Sequence, residues 1–310
     1  MRIDPGTAFS LAWTIVPRLP EPLVRALFDV AGRIAWRQGG DGVRQLEKNL
    51  SRVRPEATDK ELRRLTRDCM RSYMRYFAEL FMQPGMPSDE MDVRVRGHVP
   101  DRMRADLEEG SVVVALGHLG NYDLAGAWST RNIATVMVVA ERLKPEKLFR
   151  KFLAVREKEG TEVVPFERGS NVFRHLVRRS REDTRIVALL ADRDLGSSGI
   201  EVQLFGQPAR LAVGPAALAI ATKRPLYFAA IRGDRIEQLH GPRKWGIDLE
   251  FIGPIAPPAP GPDAIRAYTQ AWADIMTEHV RKHPTSWHML QKVFTADLDG
   301  DRLARKAAEQ

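Results

Sequence analysis

Short apolar runs alternate with helical segments from residue 93 almost to the C-terminus, and this alternation limits the folds open to the chain. Runs of about four to eight apolar residues bounded by glycine or polar residues are typical of buried strands. The predicted strands are Val93–Gly97, Ser111–Leu116, Ala134–Val139, Glu162–Pro165, Arg185–Leu190, Leu226–Ile231 and Asp248–Ile252, with helices near 100–109, 121–131, 145–160, 170–182, 213–223 and 263–282. Long helical connections between short strands predict an α/β fold with a central, mostly parallel sheet flanked by helices.

The first 90 residues carry helical patterns without strands. Thr58 and Glu61 form a capping-box pattern, which predicts a helix over residues 58–83. Residues 6–37 alternate apolar and basic residues around prolines, and the membrane interpretation of this segment expects Trp13 and the N-terminal arginines to contact anionic lipid. A helix of this kind can lie in a membrane interface or cover a protein core, and the pattern serves both uses equally.

The charge balance of the chain is basic, with 48 Lys and Arg against 40 Asp and Glu, a net charge of +8 and a pI near 9.8. Such a balance favours anionic partners such as nucleic acid, anionic lipid or the phosphates of coenzyme A. An arginine-rich composition also follows from GC-rich codons alone. The sequence has no zinc-finger spacing and no aromatic-rich RNA-binding strand, so we expect no nucleic-acid partner.

The cysteine count and the hydropathy of the sequence indicate in which cellular compartment the chain is expected. Cys69 is the single cysteine, which rules out a disulfide within the chain and fits a reducing compartment. The apolar stretch 9–16 is short and is followed by Pro17, which argues against a signal peptide. No run reaches the roughly 18 apolar residues that a membrane-spanning helix needs. We therefore expect any membrane contact to be peripheral.

The string Gly117-His118-Leu119-Gly120-Asn121-Tyr122-Asp123 follows the predicted strand Ser111–Leu116 and opens a predicted helix. Open α/β sheets build their sites at such strand–turn–helix corners. A histidine oriented by a carboxylate is suited to general-base catalysis, in which it takes a proton from an attacking hydroxyl. The structural alternative is a turn histidine followed by an aspartate that stabilises a helix N-terminus.

This string resembles the H-x-x-x-x-D motif of the glycerolipid acyltransferase superfamily. Within it, the chain is most similar to the lipid A biosynthesis acyltransferase family, in the branch that includes phosphatidylinositol mannoside acyltransferases. The further segments that carry the resemblance are Gln45–Leu50, Leu190–Leu195, Phe205–Arg210, Gly214–Ala219 and His283–His288. Together these segments extend the resemblance over most of the chain.

The resemblance implies which residues act. His118 is the expected general base, and either Asp123 or Asp192 orients its ring. Glu141 and Arg156 are implied at the acceptor site. The remaining candidates for substrate binding are Asp194, Arg168 and Arg210, the two arginines because a guanidinium suits phosphate groups.

The function that we expect is acyl transfer from acyl-CoA, with palmitoyl-CoA as donor, to a hydroxyl of an anionic membrane glycolipid, by resemblance a mannose of phosphatidylinositol mannoside. No cofactor is expected beyond acyl-CoA as co-substrate. We expect one acyltransferase domain over residues 1–310, with a helical, membrane-facing segment (1–90) and an α/β catalytic core (91–310). The expected location is peripheral, at the cytoplasmic face of the plasma membrane, on its inner leaflet. The alternatives are another lipid or glycolipid acceptor, or a non-catalytic, basic protein that binds membrane surfaces.

Two other chemistries are disfavoured by the residue spacing. His279 and His283 lie four positions apart and suggest a metal site, but the segment lacks the glutamate of an H-E-x-x-H motif. We therefore expect no metal. The sequence also has no G-x-S-x-G nucleophile elbow, which argues against a serine hydrolase.

Overall fold

The structure, a computed structural model, describes residues 12–142, 146–166, 171–194, 199–236, 239 and 244–298. Nine strands lie in these residues: β1 (Val95–His98), β2 (Val112–Leu116), β3 (Val136–Glu141), β4 (Glu162–Phe166), β5 (Ile186–Leu190), β6 (Ile200–Leu204), β7 (Gln207–Leu211), β8 (Leu226–Arg235) and β9 (Trp245–Ile255). The longer helices are α1 (Glu21–Gln38), α2 (Asp41–Val53), α3 (Asp59–Met82), α4 (Ser88–Val93), α5 (Asp101–Glu109), α6 (Tyr122–Asn132), α7 (Glu146–Lys158), α8 (Val172–Glu182), α9 (Gly214–Thr222) and α10 (Ala264–Lys282).

Seven of the strands form a central sheet in the order β1-β9-β8-β2-β5-β3-β4. Strands β8 and β9 pair antiparallel, and the other neighbours pair parallel. The central strand β2 is buried along its whole length because β8 and β5 flank it and helices cover the sheet. The predicted α/β fold with a mostly parallel sheet is confirmed.

The predicted strands of the central sheet all occur, with boundaries that differ by a few residues. The hairpin of β6 and β7 was not predicted from the sequence. Pro208 within β7 weakens the strand pattern, since proline cannot donate to a ladder. The hairpin turns at Phe205 and Gly206, which both have a positive φ, as a two-residue type I′ turn requires.

Helices α1, α2 and α3 pack against one another, and α3 also packs against the segment that follows α10. The predicted capping box is present, since Glu61 N donates to Thr58 Oγ1 and Thr58 N donates to the Glu61 carboxylate. Helix α1 buries Val24 and packs on α3, the helix that begins at this cap. Asn49 of α2 donates to the carbonyl oxygens of Met289 and Gln291, so the N-terminal helices hold the C-terminal segment as well.

Helix α1 has two apolar faces, of which one packs against the core and the other is exposed. Val24 is fully buried, and Phe28 packs against the core on the same side. A second stripe, which we call the α1 stripe, is about half exposed and consists of Leu23, Leu27, Val30 and Ile34. Trp13 was expected to face a membrane, and this expectation is wrong. Its ring is buried and packs edge-on against Phe81 and Phe152, at 5.0 and 4.6 Å between ring centroids.

Candidate active site

The turn after β2 carries the histidine of the H-x-x-x-x-D string. Strand β2 ends at Leu116, and Asn121 caps α6 by accepting a hydrogen bond from the amide of Leu124 at 3.0 Å. Gly120 lies between them with φ +51°, and a Cβ there would approach Ile231 Cγ2 to 2.9 Å. Glycine therefore allows both the left-handed backbone and the close approach of the turn to β8.

His118 is held by the buried carboxylate of Asp192, which follows the neighbouring strand β5. Its Nδ1 lies 2.7 Å from Asp192 Oδ1, and its backbone amide donates to Asp192 Oδ2 at 2.9 Å. Asp192 is fully buried, whereas about a fifth of the His118 side chain is exposed. A ring bonded through Nδ1 keeps Nε2 as the nitrogen that can accept a proton, which is the arrangement a general base needs.

The surroundings of Asp192 keep it ionised. Burial alone would raise its pKa, but the attraction to His118, the two hydrogen bonds from His118 and one from Trp287 together lower the pKa of Asp192 below its usual value. Trp287 contributes its indole N–H, with Nε1 at 3.0 Å from Asp192 Oδ2. An ionised carboxylate can fix the ring tautomer and stabilise an imidazolium.

Asp123, the other candidate for orienting His118, pairs with residues of two neighbouring helices. Its Oδ1 accepts from Arg156 Nε at 2.7 Å, and its Oδ2 accepts from the Tyr76 hydroxyl at 2.7 Å. It lies in the first turn of α6, where its side chain contacts Tyr76 of α3 and Arg156 of α7. Of the two carboxylates considered for orienting His118, the structure puts Asp192 in contact with the ring and pairs Asp123 with Arg156.

The Asp123–Arg156 pair is a buried ion pair. Burial works against the charge of Arg156, but its attraction to Asp123 raises the pKa of the guanidinium above its usual value. Burial, followed by the Asp123 carboxylate, raises the pKa of Tyr76 well above its usual value, so the hydroxyl remains a donor. Tyr122 extends this cluster, with its hydroxyl at 3.0 Å from that of Tyr76.

A cavity of about 680 Å³ opens beside His118. Apolar side chains of the sheet and of α3, α6, α7 and α8 form most of its wall, among them Val114, Val138, Phe77, Phe149, Leu153 and Leu176. His118, Glu141, Arg156, Arg193 and Asp194 are among the polar residues that line it. Its size falls within the range of about 300–1,000 Å³ found for small-molecule sites.

The other predicted substrate-binding residues lie at several places. Glu141 ends β3, is about half exposed and faces the guanidinium of Arg193, with Oε2 and Nη2 3.9 Å apart. Asp194 pairs with Arg210, with Oδ2 and Nε 3.7 Å apart, and Arg210 also donates to the carbonyl oxygen of Gly199. Arg168 lies outside the residues that the structure describes.

Two residues of the segment after α10 belong to the site and were given no role from the sequence. Trp287 bonds Asp192, as described above, and His288 lines the cavity with its Nε2 3.0 Å from Ser72 Oγ. Burial, then the nearby charges of Arg75 and His118, lower the pKa of His288 to about 3, so its ring is neutral. The Trp and His of His283–His288 were visible in the sequence, but nothing there indicated their partners.

No cluster of three or more metal-ligating side chains occurs among the described residues. The rings of His279 and His283 lie 5.3 Å apart. Burial, followed by the neighbouring His283, lowers the pKa of His279 to about 4. The pair therefore consists of a core histidine and a partly buried neighbour. Within the same described residues, no helix is long and apolar enough to cross a membrane.

Comparison with known proteins gives one family and several relatives. The model of the bacterial lipid A biosynthesis acyltransferase family matches residues 7–296. The chain is similar to the phosphatidylinositol mannoside acyltransferase of Mycolicibacterium smegmatis, with 35% identity over 96% of this chain and 93% of the relative. It is also similar to two proteins of that name from strains of Mycobacterium tuberculosis, with 38% and 37% identity over 96% of this chain and 91% of each relative.

Proposed function

Because this chain belongs to the bacterial lipid A biosynthesis acyltransferase family, we propose that it transfers a fatty acyl chain from acyl-CoA to a membrane glycolipid. The proposed acceptor is a mannose hydroxyl of phosphatidylinositol mannoside, and the proposed donor is palmitoyl-CoA. The observation that carries the proposal is the His118–Asp192 pair, joined at 2.7 Å, in which His118 lines a large apolar cavity and Asp192 is buried behind it. The names of the relatives support this choice of acceptor.

In the proposed reaction, His118 Nε2 takes the proton of the acceptor hydroxyl as its oxygen attacks the thioester carbonyl carbon. Asp192 holds the resulting imidazolium through Nδ1. The tetrahedral intermediate then collapses, the carbon–sulfur bond breaks, and the thiolate of coenzyme A takes the proton back from the imidazolium. Proton and electron pairs balance without an acyl-enzyme and without a metal. Backbone amides in the first turn of α6 are the proposed oxyanion donors. The amide of Gly120 lies before α6 and donates to Ser286 O.

The cavity is proposed to bind the acyl chain. Its wall is mostly aliphatic and aromatic, and each methylene group moved there from water contributes about 0.8 kcal/mol. Polar groups lie at the His118 side, where a thioester and a hydroxyl must meet. Arg193 and Glu141 face each other there, and we propose that they and Asp194 contact the sugar or phosphate of the acceptor. Arg156, paired with Asp123, shapes this side of the wall.

Contact with the membrane is proposed for the α1 stripe. Arg18, Arg33 and Arg37 are exposed at or near the ends of α1. An apolar stripe flanked by arginine binds at the interface of an anionic bilayer. Helix α1 packs on α3, whose Tyr73 and Phe77 line the cavity, so a bilayer on the stripe would lie close to the site. We propose peripheral binding at the cytoplasmic face of the plasma membrane on this basis.

The function is tested by acyl transfer from radiolabelled palmitoyl-CoA to purified phosphatidylinositol mannoside, with phosphatidylinositol and unrelated glycolipids as alternative acceptors. We expect labelled product with the mannoside, and a loss of roughly 10²–10⁴-fold or more in His118→Ala. Near-wild-type transfer by His118→Ala contradicts the mechanism. Transfer to another acceptor identifies a different glycolipid substrate, and binding to vesicles without any product supports a non-catalytic membrane protein.

Membrane binding is tested separately by co-sedimentation with liposomes. We expect binding to rise with the anionic lipid fraction and to fall with added salt, because salt screens the attraction of the arginines. Replacing Leu27 and Ile34 with Gln is expected to weaken binding without unfolding the chain, since both side chains are half exposed. Replacing the exposed Val93, which lies outside the stripe, with Gln is the matched control. Equal binding to neutral and anionic liposomes at low salt contradicts an electrostatic role for the arginines.

A further inference from the structure

The segment after α10 packs along the turn between β2 and α6, which carries His118. His288 N donates to His118 O at 2.9 Å, and Gly120 N donates to Ser286 O at 2.8 Å. Leu119 and Trp287 lie opposite each other between these bonds as an antiparallel bridge. The backbone that carries His118 is therefore held by two hydrogen bonds from a segment more than 160 positions later in the chain.

The side chain of Trp287 reaches the buried carboxylate behind the histidine. Asp192 Oδ2 accepts two N–H groups, the His118 amide at 2.9 Å and Trp287 Nε1 at 3.0 Å, while Oδ1 accepts from the His118 ring. Since Asp192 is fully buried, these donors take the place of water around its charge. Among the residues that the structure describes, the other donors to this carboxylate are the amide and the ring of His118, the residue that it has to orient.

Trp287 itself is held firmly and lies off the substrate path. Its side chain is fully buried, its carbonyl oxygen accepts from Cys69 Sγ at 3.3 Å, and its ring packs on Phe205 at 5.2 Å between centroids. The described residues that line the cavity include His118 and His288 but not Trp287. A change at Trp287 thus reaches the reaction through Asp192 and leaves the substrate-contacting wall in place.

We propose that Trp287 is a positioning residue of the acyl transfer, whose indole N–H fixes the Asp192 carboxylate so that His118 Nε2 faces the acceptor hydroxyl. This inference rests on the proposed function. It assigns to Trp287 an effect on the turnover number kcat with little effect on KM, because the indole touches the orienting carboxylate and not the substrates. A role in packing alone would not depend on the N–H group.

Trp287→Phe tests the inference, with Trp272→Phe as its matched control. Trp272 is also fully buried, and its indole nitrogen has no hydrogen-bond partner among the described residues. The two variants therefore lose similar volume, and only Trp287→Phe loses a hydrogen bond seen in the structure. A hydrogen bond to a charged group accounts for a rate factor of about 10-fold to 100-fold. We expect Trp287→Phe to lower kcat by that factor with KM within about threefold of wild type, and Trp272→Phe to leave both near wild type.

A second variant separates the N–H group from the shape of the ring. Incorporating 3-benzothienylalanine at position 287 replaces the N–H by sulfur and keeps the bicyclic ring, so it remains informative even if Trp287→Phe fails to fold. We expect the same loss of kcat in this protein, with a thermal unfolding midpoint near that of wild type. Full kcat with the sulfur analogue overturns the inference, and so does an equal loss of kcat in Trp287→Phe and Trp272→Phe.

Asp192→Asn and His118→Ala, assayed alongside, distinguish failure of this inference from failure of the proposed function. If these two variants lose transfer and the sulfur analogue does not, the roles of His118 and Asp192 are supported and the role of Trp287 is refuted. If all of them retain transfer, the proposed function of His118 itself is wrong. If the mannoside is not acylated by the wild-type chain, the assay is repeated with the acceptor that is, and the same ratio of kcat values decides the role of Trp287.

Discussion

Replacing Asp123 with Asn tests whether this carboxylate acts on stability or on the reaction. The substitution keeps the shape of the side chain and removes the charge that faces Arg156 Nε at 2.7 Å. Removing one partner of a buried ion pair costs about 3–5 kcal/mol. Since 20% of the Arg156 side chain is exposed, water can solvate part of the remaining charge, and we expect the lower end, a loss of about 3 kcal/mol in the free energy of unfolding.

This loss is measured by urea unfolding in a double-mutant cycle of Asp123→Asn, Arg156→Gln and the combined variant. Each single variant leaves one buried charge unpaired, whereas the double variant leaves none. We expect the double variant to unfold at a higher urea concentration than the sum of the single effects predicts, with a coupling energy of about 1–3 kcal/mol. Far-UV circular dichroism and tryptophan fluorescence should give the same midpoints if unfolding is two-state.

The transfer rates of Asp123→Asn and Asp192→Asn show whether Asp123 acts on the reaction. Because the structure pairs Asp123 with Arg156 and Tyr76, we expect folded Asp123→Asn to keep more of the transfer rate than Asp192→Asn. If Asp123→Asn has the unfolding free energy of wild type and loses transfer as severely as Asp192→Asn, the ion pair contributes nothing to stability. In that case Asp123 acts on the reaction, and its assignment to a stabilising ion pair with Arg156 is wrong.

Three further outcomes are expected. Asp192→Asn should reduce kcat by about 10²-fold or more without a large change in KM, as measured by initial rates, since it removes the carboxylate that holds the imidazolium. The free energy of unfolding should fall as the pH drops from 7 to 5. The folded pKa values of His288 (about 3) and His279 (about 4) lie below the usual value, so the unfolded chain takes up protons in this range and the folded chain does not. Equal free energies of unfolding at pH 7 and pH 5, measured with urea, would contradict this. Gly120→Ala should cost about 1 kcal/mol or more of stability and also lower transfer, as urea unfolding and initial rates would show, whereas Gly261→Ala, with open space around the position, should not.

The sheet could be predicted from the sequence because its strands are short and strongly apolar. Strand β2, for example, was expected at Ser111–Leu116 and lies at Val112–Leu116. The hairpin of β6 and β7 could not, because it pairs outside the central sheet and contains Pro208. The position of Trp13 was predicted wrongly for a different reason. Hydrophobic spacing marks a residue as apolar, but it does not show which of two apolar faces packs against the protein.

The histidine of the site was predictable, and the set of residues around it was not. His118 stands out because a polar residue directly follows a buried strand, but the partners Asp192 and Trp287 are distant in sequence. Asp123 looked like the partner because the spacing H-x-x-x-x-D is local and visible. Arg156 was expected near the acceptor site and does line the cavity, while its ion pair with Asp123 was not foreseen.

The register of two parallel strands explains why Asp192 and not Asp123 reaches His118. Leu116 at the end of β2 pairs with Leu190 at the end of β5, and Ala191 N donates to Leu116 O at 2.9 Å. His118 and Asp192 each lie two residues after the end of their strand, so they leave the sheet side by side. Because register fixes which face a side chain takes, a shift of one residue between the strands would turn Asp192 away from the ring. The orienting contact is thus a consequence of strand pairing, which leaves the aspartate of α6 available for the ion pair with Arg156 that joins α6 to α7.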